Sequence, residues 1–289
     1  MGAIQMHNSE NPADTTHAMP NDLSVSQDGP VTLLRLSRPA KRNALDRAMI
    51  AGIEAFFRSP PEGTRAVVLH GEGSNFSAGL DLSNVAEISV AEGISHSLAW
   101  HRAFEQIEYC QVPVIVVIHG AVIGGGLELA AAAHIRVAEH SAFYALPEGR
   151  HGIFVGGGGS VRIPRLIGTA RTMDMMLTGR TYGAEEGAAI GFSQYVVPDG
   201  QGLAQGIALA KQIIANSPLT NFAATQVLLR IASTDPETGL LMESLMAAIA
   251  GADDEARTRL RNFLEKRAPK VVHPAGVPEA MIQGARSRK

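Results

Sequence analysis

The feature that most constrains the fold of this chain is an unbroken apolar run, Val112–Ile118. A strand with one face in water alternates polar and apolar residues, so a run without alternation is predicted to be buried on both faces. Strand-like and helix-like segments alternate around it. They are the predicted strands Val31–Leu36, Ala66–His70 and Ile135–Ala138 and the predicted helices Leu45–Phe57 and Val90–Cys110. This alternation predicts an α/β core.

Residue types suited to starting a helix recur along the chain. They are Asn43, Ser160, Ser217-Pro218 and Asp235-Pro236. From about Gly202 the pattern is wholly helical, and the last predicted helix runs from Asp253 to about Lys266. The predicted organisation is therefore a disordered N-terminal tail (1–22), a core (23–201), a C-terminal helical region (202–267) and a loose tail (268–289).

Composition excludes several classes of protein. The formal net charge is −3, so no global field recruits nucleic acid or anionic lipid. The single cysteine, Cys110, excludes an intrachain disulfide and a thiolate metal cluster, and the histidines show no metal-ligand spacing. No apolar run approaches the roughly 20 residues that span a bilayer, and residues 1–22 match no secretory or mitochondrial signal. We expect a cytoplasmic protein without metal, nucleic-acid or membrane partners.

Two glutamates carry the functional prediction. Glu128 follows the glycines 124–126, and Glu148 ends the segment 143–148. The glycines fit a strand–helix turn that needs positive φ or close packing, or a helix N-terminus whose bare N–H groups accept negative charge. Two carboxylates beside such donors can move protons next to a carbonyl whose charge is being stabilised. The pattern predicts proton transfer at a carbon beside a carbonyl.

A second glycine run, Gly156–Gly159, raises the possibility of a phosphate-binding loop. It lacks the Lys-Ser/Thr that a Walker loop requires at fixed spacing, and no Gly-x-Gly-x-x-Gly opens a helix after the first strand. Nucleotide hydrolysis and dinucleotide binding are therefore disfavoured.

Four segments together resemble the enoyl-CoA hydratase/isomerase (crotonase) superfamily, and specifically its hydratase-like branch, over roughly Leu23 to Ala268. They are Ser37–Leu45, Phe76–Asp81, Val114–Ala130 and Asn262–Arg267. The resemblance implies an α/β fold, a crotonase-like spiral of ββα units with a C-terminal helical trimerisation region. It also implies a homotrimer or a dimer of trimers, and a coenzyme A thioester as substrate with no further cofactor.

The resemblance also implies roles for individual residues. The backbone N–H groups of Ala78 and Gly125 would form an oxyanion hole for the thioester oxygen. Glu128 would deprotonate water for attack at C3, and Glu148 would deliver the proton to C2. Residues implied to bind coenzyme A are Arg38, Lys41, Asn43, Ala44, Leu45, Ala78, Asp81 and Leu82. Residues implied to line the acyl pocket are Trp100, Phe104, Gly124, Pro147 and Phe154.

The sequence departs from the family pattern at three places: His134, Gly149-Arg150-His151 and Phe154-Val155. The leading prediction is hydration of a 2-enoyl-CoA to a 3-hydroxyacyl-CoA, because both glutamates are present. The alternatives are an enoyl-CoA isomerase, another reaction on this scaffold such as that of a lyase or hydrolase, and a non-catalytic acyl-CoA binder.

Overall fold

The computed structural model describes residues 20–84, 89–265 and 267, so the predicted tail 268–289 and all but residues 20–22 of the predicted tail 1–22 lie outside the described residues. The strands are β1 Leu23–Asp28, β2 Val31–Leu36, β3 Ala66–Gly71, β4 Val114–Ile118, β5 Ala121–Ile123, β6 Ile135–Glu139, β7 Phe143–Ala145, β8 Tyr182–Gly183 and β9 Tyr195–Val197. The α-helices are α1 Arg47–Arg58, α2 Val90–Glu108, α3 Gly125–Ala132, α4 Gly159–Ile167, α5 Thr169–Thr178, α6 Ala184–Ala189, α7 Gly202–Ile214, α8 Pro218–Phe222, α9 Leu228–Ile231, α10 Pro236–Ala252 and α11 Asp254–Leu264.

Most strands form one six-stranded sheet in the order β1-β2-β3-β4-β6-β9. β1 pairs antiparallel with β2, and every other neighbour in this sheet is parallel. A smaller sheet has the order β5-β7-β8, with β5 parallel and β8 antiparallel to β7. Because β4 and β5 are separated by only two residues, the chain passes directly from the large sheet to the small one and then into α3.

Helices cover both faces of the large sheet, as the apolar run predicted. All five residues of β4 are buried. On one face Val116 and Ile118 join the main core with α1, α2 and α3. On the other face Ile115 and Val117 pack against α7, through Leu209 and Ala210. The first helix of the predicted C-terminal region is therefore part of the sheet's packing.

Two predicted helix caps are wrong. Asn43 has φ +53° and lies in a left-handed turn, whereas α1 is capped by Asp46, which accepts a hydrogen bond from the Met49 N–H at 2.9 Å. Ser160 lies inside α4, whose N-cap is Gly158 with φ +92°. The strand β1 was not predicted, because its polar, partly exposed sequence LSVSQD carries no strong apolar pattern.

The helical C-terminal region follows the predicted start signals. Ser217 and Asp235 are the N-caps of α8 and α10, each followed by proline at the first helical position. Within the described ranges, no helix combines the length and the apolar character needed to cross a bilayer.

Candidate active site

Two backbone turns from distant parts of the chain meet at one edge of the fold. The first is residues 77–81, which pair with the segment before α1: the Leu45 N–H donates to Gly79 O at 2.7 Å, and the Asp81 N–H donates to Leu45 O at 3.0 Å. The second is the turn between β5 and α3. The predicted coenzyme A segments 38–45 and 78–82 are thus joined directly to each other.

The two turns approach closely at Gly79 and Gly125. A Cβ atom placed on Gly79 would stand 3.0 Å from the Gly125 nitrogen, and one placed on Gly125 would stand 3.4 Å from the Leu80 nitrogen. Neither the Leu80 N–H nor the Gly125 N–H donates a hydrogen bond to any described residue. Two free amide donors therefore lie side by side where the turns meet.

The prediction that Ala78 supplies one of these donors is wrong. Its N–H already donates to the Arg42 carbonyl oxygen at 2.9 Å, within the contact between the two predicted coenzyme A segments. Leu80, two residues later and directly after the positive-φ Gly79, presents the free N–H instead. Gly125 keeps its predicted place beside this donor.

Trp100 packs directly against the second turn. A Cβ on Gly125 would lie 2.5 Å from Cζ3 and 2.7 Å from Cη2 of the Trp100 ring. Real Cβ atoms do not approach that closely, so glycine is required for the indole to sit over this amide. The close approach favours the packing explanation for the glycine turn, and it is compatible with the anion-binding one.

Glu128 is held by the second glycine run. Its side chain lies in the first turn of α3 and the residue is 3% exposed. The N–H groups of Gly157 and Gly159 each donate to Glu128 Oε1 at 2.8 Å. Burial raises the pKa of Glu128, and these backbone N–H groups act in the opposite direction by stabilising the carboxylate. The glycine run is therefore a carboxylate anchor, which the sequence did not indicate.

Glu148 has a different environment. It begins a short 3₁₀ helix, Glu148–His151, and is 7% exposed. Its Oε2 atom is buried without a hydrogen-bond partner among the described residues. Burial raises the pKa of Glu148 to about 7; a backbone hydrogen bond opposes this shift, and the charge of Glu128 adds to it. Glu148 is therefore suited to hold a proton near neutral pH, whereas Glu128 has two donors that favour its ionised form.

Both glutamates border one cavity of about 430 Å³. Leu80 and Gly125 lie on the same wall, and Trp100 closes part of it. The cavity thus brings together two acids and two free backbone donors, which is the combination needed to move protons beside a carbonyl that gains negative charge.

The predicted coenzyme A residues differ in their exposure and contacts. Lys41 and Leu82 are exposed, and Asp81 lies on the cavity wall. Ala44 and Leu45 are buried.

Two further members of that set have structural partners. Arg38 is paired with three acids, its shortest contact being 2.7 Å to Asp81, with Asp22 and Asp46 at 3.4 and 3.5 Å. Buried Asn43 donates from Nδ2 to the carbonyls of residues 72 and 75 and accepts from the Arg38 N–H, so its side chain links its own turn to the loop after β3.

The predicted acyl-pocket residues also divide. Trp100 and Phe154 line the cavity. Phe104 is fully buried behind Trp100, with ring centroids 5.4 Å apart, so it supports the wall instead of forming it. Gly124 and Pro147 are the N-caps of α3 and of the 3₁₀ helix that begins at Glu148, and they are not on the cavity wall.

The departures from the family pattern lie away from the cavity wall, apart from Phe154-Val155. His134 is half-buried, accepts from the Val114 N–H at Nδ1 and donates from Nε2 to Glu108 O. Burial lowers the pKa of His134 to about 4, so it is a neutral structural link. Arg150 donates to Thr178 O, and His151 is exposed.

Sequence reasoning missed several residues around the cavity. Leu80 could have been recognised as a candidate donor because it directly follows Gly79. A glycine with positive φ changes the direction of the N–H that follows it. Gly157 and Gly159 could be recognised in the sequence only as glycines. No pattern in the neighbouring residues indicates that they contact Glu128. His96 and Ser97 lie one helical turn before Trp100, on the same face of α2, and this spacing could have indicated that both reach the cavity.

Comparison with known proteins gives a consistent result. A sequence model of the enoyl-CoA hydratase/isomerase family matches residues 26–273. A Bacillus subtilis (strain 168) protein named a probable enoyl-CoA hydratase is 32% identical over 255 residues, 86% of this chain and 98% of the relative. A solved Rhodopseudomonas palustris structure, described as a candidate enoyl-CoA hydratase, is 56% identical, with a TM-score of 0.84 over 88% of this chain and 98% of that one.

A further solved structure carries a ligand. A Thermobifida fusca protein, also described as a candidate enoyl-CoA hydratase, was solved in complex with acetoacetyl-CoA. It is 26% identical to this chain, with a TM-score of 0.72 over 79% of this chain and 94% of that one.

The family match covers both turns, both glutamates and all of the C-terminal helices α7 to α11. It confirms the predicted superfamily and the α/β crotonase-like fold with its helical C-terminal region. The chain belongs to the enoyl-CoA hydratase/isomerase (crotonase) family and is an acyl-CoA-processing enzyme.

Proposed function

We propose that this enzyme hydrates a 2-enoyl-CoA to a 3-hydroxyacyl-CoA. The observation that carries the proposal is the convergence of two free amides and two buried carboxylates on one cavity. The acetoacetyl-CoA complex of the Thermobifida fusca relative supports an acyl-CoA thioester as the ligand of this cavity.

In the proposed reaction the thioester oxygen accepts hydrogen bonds from the N–H groups of Leu80 and Gly125. As water attacks C3, negative charge moves onto that oxygen and forms an enolate. Fixed backbone donors stabilise this charge without reorganising, and one such donor contributes about 3–4 kcal/mol to lowering the barrier.

The two glutamates divide the proton transfers. Glu128, whose carboxylate is held by two N–H groups, takes one proton from the attacking water. Glu148, protonated because of its raised pKa, gives its proton to C2 of the enolate. The sum is the addition of one H–OH across the double bond, after which a proton returns from Glu128 to Glu148 through water or solvent.

The direct test is a panel of short, medium and aromatic 2-enoyl-CoA substrates followed by mass spectrometry. Hydration appears as a gain of one water, together with loss of the enoyl-thioester absorbance. Glu128→Gln and Glu148→Gln should each lower kcat by about 10²- to 10⁴-fold. Exposed Glu105→Gln on α2 is the matched control and should leave kcat unchanged. No gain of water on any substrate would refute the proposal.

The same variants separate hydration from isomerisation, which needs only one acid to shuttle a proton. Isomerase activity that survives in Glu128→Ala would favour the isomerase. The non-catalytic alternative is less well supported, because both glutamates face the same cavity.

We also propose that the enzyme is a homotrimer or a dimer of trimers. Large apolar side chains on α10 and α11 are exposed in the single chain. They are Leu240, Leu241, Leu245, Ile249, Leu260, Phe263 and Leu264. A large exposed apolar surface on a folded protein typically marks a site of contact with another protein chain. Light scattering during size-exclusion chromatography tests this, and a monomeric mass would refute it.

A further inference from the structure

The glycine loop, Gly156–Gly159, is fixed by other residues besides Glu128. The N–H groups of Gly157 and Gly159 donate to the Glu128 carboxylate, while the carbonyls of Gly156 and Gly157 accept hydrogen bonds from side chains of α2 and α4. Ser97 on α2 donates from Oγ to Gly156 O at 2.6 Å, and Arg162 on α4 donates from Nη1 to Gly157 O at 3.1 Å. Gly157 is therefore held at both ends, by Arg162 at its carbonyl and by Glu128 at its N–H.

Arg162 is itself fixed by an ion pair. Its Nε donates to Glu108 Oε2 at 2.7 Å, and the two side chains are only 11% and 16% exposed. Holding a guanidinium at this depth requires such a partner, because an unpaired charge is costly to bury. The contacts run in series from Glu108 through Arg162 and Gly157 to Glu128.

We propose that Arg162 is a positioning residue for Glu128, acting through Gly157, and that Glu108 keeps Arg162 in the required geometry. This inference rests on the proposed role of Glu128 in hydration. Arg162 makes no hydrogen bond to Glu128 and is not on the cavity wall, so its action is indirect. A displacement of about 1 Å in a reacting group lowers rates by as much as about 100-fold, so small movements of the loop matter.

The charge of Arg162 also acts on Glu128. Burial raises the pKa of Glu128, while the loop N–H groups and the Arg162 charge lower it. The other ionisable groups nearby are Glu148, from the 3₁₀ helix, and two residues of α2: Glu108, which pairs with Arg162, and His96, which lines the cavity. The rings of Trp100 and Phe104, also from α2, pack against the loop. Removing the Arg162 charge should therefore raise the pKa of Glu128, and the acidic limb of the rate profile should move to higher pH.

The test compares Arg162→Met, Arg162→Lys and Glu108→Gln with Arg165→Met, an exposed arginine on the same helix. We expect Arg162→Met to lower kcat by about 10- to 100-fold with KM changed by less than about twofold. The acidic limb of the pH–rate profile of Arg162→Met should move to higher pH. Arg162→Lys should return the acidic limb to its wild-type pH, because lysine keeps the positive charge. It should recover only part of kcat, because lysine cannot reproduce the paired hydrogen bonds of arginine to Glu108 and to Gly157 O. Arg165→Met should behave as the wild type.

A purely structural Arg162 would give a different pattern. The variants would then lower the free energy of unfolding and the fraction of enzyme that is folded and active. The acidic limb of the pH–rate profile would stay at its wild-type position. That result, or a wild-type kcat in Arg162→Met, would overturn the inference.

A titration without turnover separates this inference from the proposed function. In protein with ¹³C-labelled glutamate carboxyls, the Glu128 resonance, assigned by its loss in Glu128→Gln, should titrate at higher pH in Arg162→Met than in the wild type. Unchanged titration overturns the positioning role even if hydration occurs. An altered titration in a protein that hydrates no substrate would refute the proposed function and still support the link between Arg162 and Glu128.

Discussion

Glu148→Gln should stabilise the folded protein at alkaline pH. Burial raises the pKa of Glu148 from 4.5 to about 7. At about 1.36 kcal/mol per pH unit, ionising this carboxyl costs about 3 kcal/mol more in the folded protein than in the unfolded chain. Glutamine has nearly the same shape as the protonated acid and never ionises, so the variant avoids this cost.

The sign follows from proton binding. Between pH 4.5 and about 7 the folded state keeps the Glu148 proton while the unfolded state loses it, so the contribution of Glu148 to the free energy of unfolding falls as pH rises through this window. Below the window both states are protonated, and above it both are ionised. The advantage of Glu148→Gln should therefore grow across the window and become constant above it, at about 3 kcal/mol.

Denaturant unfolding at about pH 4.5 and about pH 8, at one protein concentration and ionic strength, measures this difference. Concentration must be held fixed, because any self-association would add to the apparent stability. Exposed Glu105→Gln is the control and should change the free energy of unfolding equally at both pH values. Parallel stability curves for Glu148→Gln and the wild type would show that burial of Glu148 does not act as argued.

Three further outcomes are expected. In steady-state assays, kcat/KM of the wild type should fall about tenfold per pH unit above about pH 7, as Glu148 loses the proton it must deliver; a flat profile to pH 9 would contradict this. Gly125→Ala should lower kcat by about 10²- to 10³-fold, because the new Cβ would stand 2.5 Å from the Trp100 ring and displace the amide donor; Trp100→Leu in the same protein should recover part of the loss. Asn43→Ala should lower the free energy of unfolding by about 2–3 kcal/mol in urea titrations, since the three hydrogen bonds of a buried side chain are lost; a change below about 0.5 kcal/mol would contradict this.

The parts of the site that the sequence predicted are local in the chain. Glu128 lies three residues after Gly125, so one short motif fixes both on the first turn of α3. The burial of β4 was likewise readable, because five consecutive apolar residues can be satisfied only between two layers.

The parts that were not predicted depend on backbone direction or on distant contacts. Ala78 and Leu80 lie in the same turn, and only the hydrogen bond from the Ala78 N–H to Arg42 decides which N–H is free. Asn43 has the residue type of a helix cap, but its side chain bonds one backbone group of its own left-handed turn and two carbonyls of the loop after β3. The hydrogen bond from Gly157 to Glu128 could not be predicted from the neighbouring sequence, because runs of glycine occur in many kinds of turn.

The anchoring of Glu128 has a consequence for biosynthesis. Its carboxylate binds N–H groups that lie 29 and 31 positions further along the chain. While the ribosome has released only the first half of the protein, this acid has no donors and its burial is unfavourable. We therefore expect α3 to dock stably only after α4 has emerged, and a nascent chain that ends before Gly157 should leave Glu128 open to solvent.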